Sequence, residues 1–86
     1  MRVIKYTTEH LVSYEAKDQQ NQTHHQIFEK ENPERPIAIY SSEFDKLHLA
    51  DEFPQNAREY KYFNEMCEIM QLLYSLKRPP TVGFDK

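Results

Sequence analysis

The sequence predicts an α+β domain, an antiparallel sheet of three to four short strands followed by two helices packed on one face. Three observations predict it. Four short segments rich in β-branched and aromatic residues occupy the first 40 positions. From Ser42 onward, apolar residues recur at helical spacing. No linker, repeat or low-complexity tract divides the 86 residues, so one domain is expected over residues 1–80, with a loose tail over 81–86.

Residues 3–6 and 10–16 read as extended, either as one bent strand or as two. Within the second segment Val12, Tyr14 and Ala16 share one face and Ser13 and Glu15 the other, so one face of the sheet should be wet. Residues 17–22 are polar throughout and read as the turn of a hairpin. Residues 23–30 alternate, with His25 and Ile27 directed opposite to His24 and Phe28. Asn32-Pro33-Glu34-Arg35-Pro36 then breaks the ladder, and residues 37–40 resume it.

Ser42 is a good helix cap because its hydroxyl can accept from free first-turn amides, and Glu43 and Asp45 suit the positive end of the helix dipole. A short helix is therefore expected to about Glu52, with Phe44, Leu47 and either His48 or Asp51 on one side, ending at Phe53-Pro54. Asn56 followed by Glu59 resembles a capping box, which starts a second helix whose apolar face runs from Tyr60 to Leu76. Lys77 and Arg78 suit its C-terminal dipole, and Pro79-Pro80 ends it. Phe63, Met66, Met70 and Leu73 form a stripe widened by Cys67, Ile69, Leu72 and Leu76, making this helix the main core element.

Composition narrows the function classes. Apolar residues are 38% of the chain and aromatics 13%, enough for one modest core, and six Tyr and five Phe carry much of it. Tyrosine hydroxyls need partners, so some tyrosines should sit at the core edge or on a binding surface. The 14 acidic and 11 basic residues are mixed without a basic run, a poor footprint for duplex DNA. A single cysteine, no apolar stretch of signal-peptide length and no segment long enough to span a bilayer predict a protein of the reducing cytoplasm, without a membrane partner.

Chemistry is sparsely signalled. One glycine, Gly83, leaves no phosphate-binding loop, and neither a nucleophile elbow nor a zinc-protease or calcium-loop pattern is present. His24 and His25 are adjacent in a strand and point to opposite faces, so they do not converge on one metal; a zinc site would have to recruit His10, His48 or Cys67. Surface histidine is the plainer reading. Cys67 falls in the apolar stripe and reads as a small core hydrophobe, while Tyr60 and Tyr62 serve equally as interface anchors or as cover for the core edge. No enzyme activity, cofactor or metal is expected.

Two stretches carry a family resemblance. Met1-Arg2-Val3-Ile4-Lys5-Tyr6 with His10-Leu11 and Tyr14, and Phe28-Glu29 followed by a polar turn, Arg35 and Ile37-Ala38-Ile39, resemble the N-terminal half of small phage-encoded anti-CRISPR proteins that inhibit type I-F surveillance complexes. That resemblance implies an antiparallel sheet with helices on one side. It also implies that the sheet surface docks on the repeated backbone subunits of a Cas effector complex and blocks target DNA, in the bacterial host cytosol. Tyr6 and Glu29 match the family's binding tyrosine and glutamate; Asp18 and glutamines stand where the family carries a second tyrosine.

The resulting expectation is a non-enzymatic inhibitor that binds a larger protein or ribonucleoprotein complex through Tyr6, Tyr14, Asp18, Glu29 and Glu31. Two alternatives compete with it. One is an antitoxin or immunity-type protein neutralising a basic toxin through Asp18, Glu29, Glu31 and Glu34. The other is a small metal-dependent enzyme using His10, His24, Glu29 or Asp45.

Overall fold

Five alternating segments become strands in the computed structural model, which describes residues 2–77. They are β1 (Arg2–Thr7), β2 (Leu11–Lys17), β3 (Thr23–Glu29), β4 (Ala38–Ser41) and β5 (Lys46–Leu49), and one α-helix, α1 (Phe63–Lys77), follows them. Each strand pairs antiparallel with its predecessor, giving the order β1-β2-β3-β4-β5. Residues 3–6 and 10–16 thus belong to two strands joined by a tight turn, not one bent strand. The turn at 17–22 forms as its composition predicts: Asp18 Oδ1 accepts from the amides of Gln20 and Gln22, and Asn21 takes the left-handed backbone (φ 64°) that asparagine tolerates.

The expected architecture of three to four strands and two helices is overturned by residues 42–52. Ser42–Asp45 forms a turn, and Lys46–Leu49 forms a fifth strand. Asp45 adopts φ 54°, a left-handed conformation that no helix interior accepts, and the Tyr40 hydroxyl donates to Asp45 Oδ1 at 2.8 Å, tying the turn to β4. Beyond it, Leu47 and Leu49 alternate with Lys46 and His48. Leu47 fits both a period of two and the helical spacing from Phe44, and over so few residues the unpaired edge of β4 decides for the strand.

The capping box is also shorter in reach than its pattern suggests. Asn56 does accept from the Arg58 amide at 3.2 Å, but it caps only a single 3₁₀ turn, Ala57–Glu59. Tyr60 is extended (φ −68°, ψ 132°), and the α-helix begins at Phe63. Residues 60–62 are left as a connector that turns two tyrosines toward the end of the sheet.

The core lies between α1 and one sheet face. Met66, Ile69, Met70 and Leu73 recur at i, i+3, i+4 and i+7 and meet Leu11, Ile27, Ala38 and Tyr40. Fully burying each large side chain contributes about 1.5–3 kcal/mol. Leu72, assigned by its sequence to the apolar stripe, is 44% exposed on the outer side of the helix. The covered face is the one carrying Leu11, Ser13 and Glu15 of β2. Val12, Tyr14 and Ala16 lie on the opposite, open face. Among the described residues no helix is long and apolar enough to cross a membrane. The expected roles of Arg78 and Pro79-Pro80, and the loose tail over 81–86, lie outside the described residues.

Candidate functional site

Three segments meet at one end of the sheet: the β1–β2 turn, the end of β3 with its following loop, and the 60–65 connector. Tyr60, buried and extended, and Tyr62, in the turn that the Phe63 amide closes on the Tyr60 carbonyl, each hand a hydroxyl to a carboxylate of the β3 segment. The Tyr60 hydroxyl donates to Glu29 Oε2 at 2.5 Å, and that of Tyr62 to Glu31 Oε1 at 3.0 Å. Lys61 Nζ donates to the same Glu31 oxygen at 3.2 Å. The two tyrosine rings meet edge to face at 5.8 Å, and Phe53 packs on Tyr60 at 4.8 Å. The result is a rim of rigid aromatics and oriented carboxylates.

Glu65, in the first turn of α1, anchors the third segment. Its Oε1 accepts from the Thr8 hydroxyl at 2.5 Å and from the His10 amide at 2.7 Å, and its Oε2 lies 2.7 Å from His10 Nδ1. The Thr8 hydroxyl, followed by the bonds from His10, holds the Glu65 carboxyl ionised, with its pKa lowered to about 2. An ionised acceptor fixes the proton of His10 on Nδ1, and the imidazole stacks on Tyr62 at 4.3 Å with planes 8° apart. The Glu65 bond raises the pKa of His10 above its ordinary value. Bonds from Lys61 and then Tyr62 keep Glu31 below its ordinary range, while Glu31 in turn raises Lys61.

Two shallow clefts flank Tyr60. One of about 310 Å³ is lined by Glu29, Arg35, Glu52 and Phe53, with Arg35 and Glu52 paired at 2.6 Å across it. The other, about 360 Å³, is lined by Arg58, Lys61, Tyr62 and Glu65. Glu9 stands beside His10 with its side chain 83% exposed. Carboxylates therefore surround the aromatic platform and reach solvent, an arrangement suited to meeting cationic groups.

The five sequence-derived binding residues do not form one patch. Glu29 and Glu31 belong to the rim. Tyr6 is half-buried on the covered face and packs against the core cluster. Tyr14 lies on the open face with the Arg2 guanidinium 4.5 Å above its ring. Asp18 is at the far end of the sheet, pairing with His24 at 2.9 Å and accepting turn amides that, led by Gln22, lower its pKa. Tyr6 and Glu29, the residues that the resemblance matches, both lie on the helix-covered side of the sheet, Tyr6 against the core and Glu29 bonded to Tyr60 at the sheet end.

Of the remaining candidates, His24 and His25 do point to opposite faces. Asp45 serves the β4–β5 turn. Among the described residues no group of three or more His, Cys, Asp or Glu side chains is placed to hold a metal ion. Thr8 and Glu65 are rim members that the sequence reading did not single out; Glu65 carried a weak signal as a lone acid in a helix first turn. Compared with models of known protein families, with curated proteins and with solved structures, the chain matches none.

Proposed function

We propose that this protein is a non-enzymatic inhibitor that works in the cytoplasm by docking its tyrosine–carboxylate rim on a basic surface of a larger protein or ribonucleoprotein complex. One observation carries the reading: Tyr62, half-buried, is pre-oriented by Glu31, and Tyr60, buried in the core beside it, holds Glu29 in place, in a rim that also exposes Glu9. Rigid aromatics lose little side-chain entropy on binding, and held carboxylates meet cations without reorganising. The net charge of −3 steers such a surface toward a basic partner.

The named form of that partner, implied by the sequence resemblance, is a type I-F CRISPR–Cas effector complex, with target DNA binding blocked by occlusion. The test is capture of purified effector complex on immobilised protein, alongside target DNA binding with and without it. Wild type should retain the complex and suppress DNA binding; Glu31→Lys and Tyr62→Ala should each weaken capture at least tenfold, about 1.4 kcal/mol. Undiminished capture by both variants would remove the rim from the interface. Absence of capture by wild type would remove this partner and leave the antitoxin-type alternative, tested by neutralisation of a basic toxin.

A further inference from the structure

The cleft between Tyr60 and the β3–β4 loop has two halves of different character. Its outer half is charged: Arg35 Nη2 donates to Glu52 Oε2 at 2.6 Å, and the two side chains are 70% and 65% exposed. Its inner half is aromatic and acidic. Tyr60 is 9% exposed, Phe53 is half-buried with its ring 4.8 Å from that of Tyr60, and Glu29 is half-buried at the end of β3. Glu29 accepts the Tyr60 hydroxyl on Oε2, while its Oε1 has no hydrogen-bond partner among the described residues.

Backbone bonds fix the walls. The Ile37 amide donates to the Ile27 carbonyl at 2.7 Å, the Ala50 amide to the Ile37 carbonyl at 2.9 Å, and the Phe53 amide to the Ala50 carbonyl at 2.9 Å. The segment before β4 and the turn after β5 are thereby tied to each other and to the sheet, and Pro36 and Pro54 restrict the same two segments. At about 310 Å³ the cleft is at the small end of ligand sites, a size suited to one long side chain.

Charge decides what that side chain carries. The cleft holds two carboxylates and one guanidinium, and the guanidinium is on the outside and already paired. The acceptor left open, Glu29 Oε1, lies beside aromatic and aliphatic walls. An arginine matches this arrangement: its stem covers Ile37 and Phe53, its planar head stacks on a ring and donates to carboxylates, and it is more weakly hydrated than an ammonium. Glu52 already holds a guanidinium in the free protein. An ion pair this exposed is held weakly, so one guanidinium can replace another at small cost.

We infer that this cleft receives an arginine side chain of the partner protein, and that Arg35 is an internal competitor which the incoming guanidinium displaces from Glu52. The inference rests on the docking reading above for the macromolecule that carries the arginine, and on the cleft alone for the chemistry. An arginine on a surface that also meets Glu31 competes with Arg35 at high local concentration, which a free cation in solution does not.

Titration of the full chain with N-acetyl-L-arginine amide at constant ionic strength, followed by the backbone amide resonances of Ala50, Phe53 and Tyr60, tests the cleft without any partner. A dissociation constant on the order of 5 mM is expected, with the lysine analogue roughly threefold weaker and no saturable shift from the glutamate analogue. Glu29→Gln and Glu52→Gln should each weaken binding at least about threefold, and Arg35→Ala should tighten it about threefold. Lys17→Ala alters net charge equally at the far end of the sheet and should change nothing. The same spectra report whether each variant is folded. No saturable shift at the three amides, saturation by the glutamate analogue, a failure of Arg35→Ala to tighten binding, or equal tightening by Lys17→Ala would each overturn the inference. Probe binding by a chain that captures no effector complex would keep the cleft and remove the docking reading. Capture undiminished by Glu52→Gln, from a chain that binds no probe, would keep the docking reading and remove the cleft.

Discussion

His24 and His25 are neighbours in sequence and live in different solvents. His25 lies beneath α1, 2% exposed, stacked against Tyr40, and its Nδ1 has no hydrogen-bond partner among the described residues. His24 lies on the open face and reaches Asp18 at the turn. The contrast extends to the two faces they represent. On the covered face Leu11, Ile27, Ala38 and Tyr40 form a continuous core with the helix, yet Ser13 is also fully buried there, its hydroxyl without a partner among the described residues. On the open face Val12 and Phe28 are 7% and 4% exposed although they belong to no helix contact. Arg2 lies over Tyr14 and Phe28, and Tyr14 meets Phe28 edge-on at 5.6 Å. One face is sealed by an element, the other by its own side chains.

That difference should appear first in truncations. Leu73→Ala removes a fully buried anchor between helix and sheet and should cost about 3–4 kcal/mol, a large share of the stability of so small a domain. Phe28→Ala removes more atoms but opens onto solvent, where Tyr14 and Arg2 can settle into the gap. About 1–2 kcal/mol is expected, below the usual range for a buried phenylalanine. Urea unfolding of both variants decides. Equal losses would mean that the open face is a second core, and the division drawn between the faces would fail.

Proton linkage separates the faces more finely. Burial lowers the pKa of His25 in the folded protein, so the unfolded chain binds the proton more tightly, and stability falls as pH drops below about 6.5. His10 on the rim is the reverse case: the Glu65 bond raises its folded pKa, so its contribution is complete below about 6.5 and is lost as pH rises through the folded value. The two opposed slopes place a stability maximum near the ordinary histidine pKa. His25→Leu should abolish the acid limb and leave the alkaline one; His10→Ala should do the opposite. Glu65 adds a further loss, as pH falls from about 4.5 toward 2. Denaturation midpoints from pH 4 to 9 would show whether the limbs separate in this way.

The same distinction explains what the sequence could disclose. Strand 23–29 and the turn before it were legible because seven alternating residues and a run without apolar anchors each match only one template. Residues 42–52 were not, since Leu47 serves two periods and the deciding facts, the left-handed Asp45 and the empty edge of β4, are tertiary. The helix stripe was readable, but its rotation was not: Ile69 is at its centre and Leu72 outside it. At the rim, Glu29, Glu31, Tyr60, Tyr62 and His10 were each recognisable by type. Their meeting was hidden, because Tyr60 bonds Glu29 across 31 residues and Thr8 bonds Glu65 across 57. Only the order of strands brings those segments to one end.

The smallest effect tests the open face most directly. Arg2 places its guanidinium 4.5 Å from the centre of the Tyr14 ring and 5.4 Å from that of Phe28, near enough for the positive charge to sense both ring faces and for its stem to cover them. Removing the charge and the cover together, as in Arg2→Ala, should cost about 0.5–1 kcal/mol. Arg2→Lys should recover only part of this, because an ammonium keeps the charge but cannot lie flat on a ring. Arg2→Leu should recover the cover without the charge. The order wild type, then Lys and Leu, then Ala in urea midpoint means that the side chain acts as a lid on the open face. Three variants indistinguishable from wild type would leave Phe28 protected by Tyr14 alone, and the open face would owe nothing to the start of β1.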